Sequence, residues 1–164
     1  MSSLRLAAAF CDGMVLQQGT VTKLFGFSKT EARVTVELER FPAEIHQPTD
    51  AETHYGLIFK EEDISGRDGY FEFHLPPQKA SYDSYRLTLR SGAEILVVDD
   101  ILVGELWYAA GQDNMAQTVN DSDVRELLSD CVNLSAVRFF QMNEDGLSDQ
   151  VPESCQHRHD EGRD

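Results

Sequence analysis

The run Ile101 to Ala110 (ILVGELWYAA) is apolar apart from Gly104 and Glu105, and it stops at Gly111, where a polar segment of helical character begins. A near-continuous apolar run closed by a glycine turn reads as a strand buried on both faces, the condition of a parallel strand in an α/β sheet. Open sheets of that kind place ligands and chemistry just beyond the carboxyl ends of their strands. Gly111, Gln112, Asp113 and Asn114 therefore stand where a functional turn is expected.

The chain ahead of this run has a different texture. Short apolar–polar runs alternate with turn residues: Leu4 to Phe10, the turn Cys11-Asp12-Gly13, Met14 to Gln17, Val21 to Phe27 and Ala32 to Leu38. Pro42 and Pro48 make a loop of Phe41 to Asp50, after which come Glu52 to Lys60, the turn Ser65 to Gly69, and Tyr70 to Leu75 up to Pro76-Pro77. Tyr85 to Leu89 and Glu94 to Val98 then form a hairpin around Ser91-Gly92. Period-two alternation in short runs with regular turn signals predicts an antiparallel β-sandwich over residues 1–99, in which Met14, Val15 and Leu16 pack the core.

Beyond the central run, Asp121 or Ser122 suits a helix N-cap, and Val124, Leu127 and Leu128 share one face of a helix over Val119 to Asp130. Asn133 to Gln141 reads as a second strand. Residues 100–142 are thus expected to hold the first β-α-β unit of an α/β domain, with the right-handed crossover such units adopt. Two parallel strands and one helix cannot cover both faces of a buried sheet, so that domain is incomplete as written. Residues 143–164 cannot supply the rest. They are polar, with Leu147 and Val151 almost their only aliphatics, and are expected to be a disordered tail.

Charge and cysteines narrow the function classes. Twenty-nine acidic residues against 14 basic give a net charge of -15. Such a surface repels phosphate, which excludes nucleic acid and anionic membranes as expected partners. No stretch approaches the ~20 apolar residues that span a bilayer. Cys11, Cys131 and Cys155 are odd in number and widely spaced, which argues against a disulfide framework and fits a reducing, cytoplasmic setting. In the tail, Cys155, His157, His159 and Asp160 follow no common zinc spacing, so no metal is expected.

The stretch LVGELWYAAGQDNM resembles the VLVGEVWLCSGQSNM segment of the sialate O-acetylesterase family, serine carbohydrate esterases within the GDSL/SGNH hydrolases. LRLAAAFCDGMVLQQ resembles that family's N-terminal signature LRLP-LFSDGMVLQR, departing at Ala7 to Ala9 and at Gln18, and DGYFEFHLPP resembles its DGRW-V-LPP segment. The resemblance implies a β-sandwich followed by the start of an incomplete, SGNH-hydrolase-like α/β domain. It also implies cofactor-free cleavage of acetyl esters on sugars by the serine of the GQSNM turn.

This chain carries Asp113 at the position of that serine, and it contains no D-x-x-H pair to activate one. Asp113 reads as a helix-start residue, and the chain as a catalytically inactive N-terminal portion. Gln112 and Asn114 either shape the turn for chemistry or only satisfy its backbone groups. Trp107 is expected to pack inside the strand. An O-acetylated sugar would be the ligand of a complete homologue, and a partner chain could complete the α/β half. The alternative is a non-catalytic carbohydrate-binding or protein-interaction module.

Overall fold

The computed structural model describes residues 3–43, 55–109, 111 and 136–140. These contain eight strands and no helix: β1 (Arg5–Leu6), β2 (Val15–Gln17), β3 (Thr22–Phe27), β4 (Arg33–Phe41), β5 (Gly56–Ile64), β6 (Tyr70–Leu75), β7 (Ser81–Ser91) and β8 (Glu94–Gly104). They form a three-stranded sheet, β1-β3-β6, and a five-stranded sheet, β2-β8-β7-β4-β5.

Alternation decides which faces meet. On β4, Val34, Val36 and Leu38 are fully buried while Thr35, Glu37 and Glu39 are only half-buried. On β6, Phe71, Phe73 and Leu75 point inward and Tyr70, Glu72 and His74 do not. The inward residues of both sheets, with Leu24, Tyr85, Leu87, Leu89, Val98, Ile101 and Val103, make one core in a sandwich-like arrangement. Each fully buried aliphatic or aromatic side chain contributes about 1.5–3 kcal/mol of burial free energy. Met14 and Leu16 belong to this core and Val15 is half-buried beside it.

Three expectations are corrected here. The sandwich is not purely antiparallel: β2 pairs parallel with β8, setting Val15 opposite Leu102, Leu16 opposite Val103 and Gln17 opposite Gly104. Nor are Glu94–Val98 and the run from Ile101 separate strands. β8 runs through both, because the Asp99-Asp100 interruption is absorbed as a bulge: Leu87 faces Val98 and Tyr85 faces Ile101, leaving an extra residue on β8. Asp100 there takes a φ of 55°. The five-stranded sheet therefore continues past residue 99 to Gly104.

The third correction concerns the rest of the apolar run. It leaves the strand after Gly104, and Leu106, Trp107 and Tyr108 are 57%, 90% and 91% exposed. Trp107 does not pack in a core strand. The helix expected over residues 119–130 lies outside the described residues. Of the strand expected over Asn133–Gln141, residues 136–140 are described, and they join no ladder. No α/β unit is present among the described residues.

No described helix is long and apolar enough to cross a membrane. Cys11 is disulfide-bonded, with its partner outside the described residues. That removes the cysteine argument for a reducing compartment.

Candidate functional site

The candidate site is the place where the chain leaves β8 toward Gly111. It is built by the segment Asp12 to Gln18, which runs alongside Asp99 to Leu106. At the bulge, the Asp12 carboxylate accepts the Asp99 N–H (2.7 Å) and the Gly13 N–H donates to the Asp99 carbonyl (2.9 Å). The expected turn at Cys11-Asp12-Gly13 thus clips the irregular part of β8. Leu102 N–H then donates to the Met14 carbonyl (3.0 Å), and Gln18 N–H to that of Gly104 (2.8 Å).

Past Gly104 side chains take over from the main-chain ladder. Gln17 Oε1 accepts the Leu106 N–H at 2.8 Å, while its Nε2 donates to Glu105 Oε2 at 3.0 Å. Gln18 Nε2 donates to Glu105 Oε1 at 2.5 Å, and its Oε1 accepts the Ala80 N–H at 3.3 Å. This is the physical reason the strand ends early: a glutamine amide, not a neighbouring backbone, satisfies Leu106. The donated hydrogen bonds from Gln17, then Gln18, hold the Glu105 carboxyl below the usual carboxylate range.

Of the residues singled out in the sequence, Gly111 is described and exposed. Gln112, Asp113 and Asn114 lie outside the described residues, as does the tail cluster from Cys155 to Asp160. The chain is seen again at residues 136–140, where Arg138 reaches back to the bulge and pairs with Asp100 (2.8 Å). Sequence reasoning missed two groups of contacts along β8: Arg138 with Asp100 at the bulge, and Gln17 and Gln18 with Glu105 just past Gly104. One signal for part of this was available, since the resemblance covers both Gln17 and Glu105.

His74 is the single described histidine. It sits on β6, in the other sheet, with Nε2 3.9 Å from Glu72 Oε1. Glu72 also pairs with Lys23 (2.6 Å) and accepts from the Tyr70 hydroxyl (2.7 Å). Lys23 first, then Tyr70, lowers the Glu72 carboxyl, and Glu72 in turn raises both partners. This is an exposed, mutually paired surface strip of small energetic weight. No group of three metal-capable side chains occurs among the described residues.

One solved structure similar to this chain is that of a novel carbohydrate acetylesterase from Xanthomonas citri. It matches with a TM-score of 0.63 and 23% identity, over 79% of this chain and 26% of that one. The likeness is one of fold. This chain spans about a quarter of that enzyme's length. No family model matches the chain, and no curated protein does.

Proposed function

We propose that the chain is the β-sandwich and nucleophile-turn portion of a sialate-type carbohydrate O-acetylesterase, and that as written it does not hydrolyse acetyl esters. In this reading the sandwich takes in residues up to Gly104, an α/β domain starts in the stretch to residue 142, and residues 143–164 are a polar tail. The observation that carries the proposal is the lacing of Asp12–Gln18 to Asp99–Leu106. Two stretches that resemble the same family separately, and lie far apart in sequence, are neighbours in space. The fold likeness to an enzyme titled a carbohydrate acetylesterase supports the same assignment.

The inactivity follows from chemistry at Asp113. Acyl transfer needs a nucleophile, a base and donors for the oxyanion. A carboxylate attacking an acetyl ester would form a mixed anhydride while expelling a poor alkoxide leaving group. Its negative charge would also sit beside the developing oxyanion and raise the barrier. Asp113→Ser alone should not restore activity, because the sequence contains no D-x-x-H pair. Acetyl release by that variant, blocked by a serine-reactive phosphonate, would contradict the proposal.

A second reading, a non-catalytic carbohydrate-binding or interaction module, is favoured by the exposure of Trp107 and Tyr108 beside the exit of β8. Exposed aromatic faces can stack on sugar rings or anchor a partner chain. Trp107 is the only tryptophan, so its emission reports on that surface alone. Titration with O-acetylated and free oligosaccharides separates the cases: a saturable shift in emission supports the binding module, and an unchanged spectrum counts against it.

A further inference from the structure

β5 ends the order β2-β8-β7-β4-β5, so its nine residues pair with β4 on one side and with no strand on the other among the described residues. A free edge of that length is a template for another strand, above all for the β5 of a second copy. The Ser65 N–H donates to the Ala32 carbonyl. By the alternation of an antiparallel ladder, the N–H groups of Lys60, Glu62 and Ile64 therefore point away from β4. Lys60 through Ile64 are all exposed.

The two faces of this edge carry charge differently. On the outer face Lys60 pairs with Glu37 (2.7 Å) and Glu62 with Arg33 (2.8 Å), both partners lying on β4. On the core side Phe59, Glu61 and Asp63 stand opposite Leu38, Val36 and Val34, which are fully buried. Phe59 packs against the core. Glu61 and Asp63 do not, because the opposing sheet has only three strands and leaves them in water. Neither joins a salt bridge among the described residues. The Asp63 carboxylate instead accepts the N–H of Ile64 at 2.8 Å, which occupies one of the outward donors.

A second copy that pairs antiparallel with this edge meets those carboxylates. A twofold axis at Glu61 sets Lys60 against the Glu62 of the second copy on the outer face, which is attractive. The same register sets Glu61 against its own counterpart on the core side. An axis at Glu62 sets Glu61 against the Asp63 of the second copy, and Glu62 against itself. Like charges directly opposite each other destabilise a strand pair. We propose that Glu61 and Asp63, on the core side of β5, keep a second copy of this chain from extending the five-stranded sheet at that edge. A simpler account makes both positions merely wet, so that any polar residue would serve. The hold of Asp63 on an outward N–H favours the guarding role. The proposal is independent of the esterase reading, and its test involves no acetyl release.

The test is sedimentation velocity on the full chain over a concentration series, joined to amide hydrogen exchange. The wild type is compared with the double variants Glu61→Val/Asp63→Val and Glu61→Thr/Asp63→Thr. Valine and threonine both suit a strand, and threonine leaves the edge polar while removing the charge. Both variants should self-associate at least about tenfold more tightly than the wild type, with the Lys60 and Glu62 amides newly protected. Variants that associate no more than the wild type overturn the proposal. Association by the valine variant alone reports apolar surface and overturns the role of charge. Association without protection at Lys60 and Glu62 places the contact elsewhere and overturns it too. Should a double variant fail to fold, Glu61→Thr alone gives the same readout, because it removes the carboxylate that would face its own counterpart.

Discussion

Gln17 holds Glu105 and its neighbour with both ends of one amide: Nε2 donates to the Glu105 carboxylate at 3.0 Å, and Oε1 accepts the Leu106 N–H at 2.8 Å. The contact spans most of the described chain and fixes where β8 stops being a strand. It also gives a structural reason for Gln17 and Glu105 both to fall in stretches of family resemblance. Gln17 ends the ladder at Leu106 and holds the Glu105 carboxylate beside it, so neither requires a chemical role.

Replacing Gln17 by Leu should strand the Leu106 N–H and remove one donor from Glu105. The expected loss is about 1 kcal/mol, since the group lies near the surface and water offers partial replacement. Urea denaturation checks this. An unchanged midpoint would mean that the amide contact does not hold the exit of β8.

Two glycines should respond unequally to alanine. A Cβ on Gly26 would lie 2.2 Å from the Arg5 carbonyl oxygen and 2.9 Å from Phe71 Cζ, so β1 could no longer approach β3. Gly19 has a φ of 68° and nothing within 4 Å. Gly26→Ala should cost about 3 kcal/mol or more through overpacking against backbone, and Gly19→Ala about 1 kcal/mol through conformation alone. Equal costs would contradict the close approach of β1.

Asp83 on β7 is buried, and its carboxylate takes Arg40 Nε (2.8 Å), Arg40 Nη2 (2.5 Å) and the Ala43 N–H (3.1 Å). Asp83→Ala would leave the Arg40 guanidinium without its counter-charge at a side-chain exposure of 19%. A loss of about 3 kcal/mol is expected, with Arg40→Met recovering much of it in the double variant. Additive losses in the double-mutant cycle would show the pair to be uncoupled.

Much of the sandwich was legible because its strands obey local rules. Tyr70–Leu75 alternates cleanly between Gly69 and Pro76, and the Ser91-Gly92 hairpin carries its own turn signal. What stayed hidden is non-local. Asp99-Asp100 reads as a polar break, and only its clip from Asp12 and Gly13 lets β8 continue through it. The parallel match of β2 to β8 rests on three residues with no periodic signature. Leu106, Trp107 and Tyr108 look alike in sequence whether a neighbour covers them or not. The residues that fasten the exit of β8 were not legible, because they act through contacts across some ninety positions, such as Gln17 to Leu106.

Acid should weaken the attachment of the N-terminal segment through Glu94. Its carboxylate accepts from the Ser3 hydroxyl (2.8 Å), the Ser3 N–H (3.2 Å) and the Leu4 N–H (3.0 Å), and these bonds, Ser3 first, lower its pKa from the ordinary 4.5. A depressed folded value means the contribution is full above 4.5 and is lost as the pH falls through that lower value. Relaxed self-repulsion in a chain of charge -15 acts in the opposite direction, but equally in wild type and variant. Melting temperatures from neutral pH downward should therefore show Glu94→Gln less stable above 4.5 and converging with the wild type below it. A constant gap across the range would remove Glu94 from the acid response.

The most direct measurement is acetate release from an O-acetylated sugar by the purified full chain, followed against an enzyme-free blank. The account predicts no release above the blank, with Asp113→Ala indistinguishable from the wild type. Turnover by the wild type that disappears in Asp113→Ala would make Asp113 a working nucleophile and contradict the account at its centre.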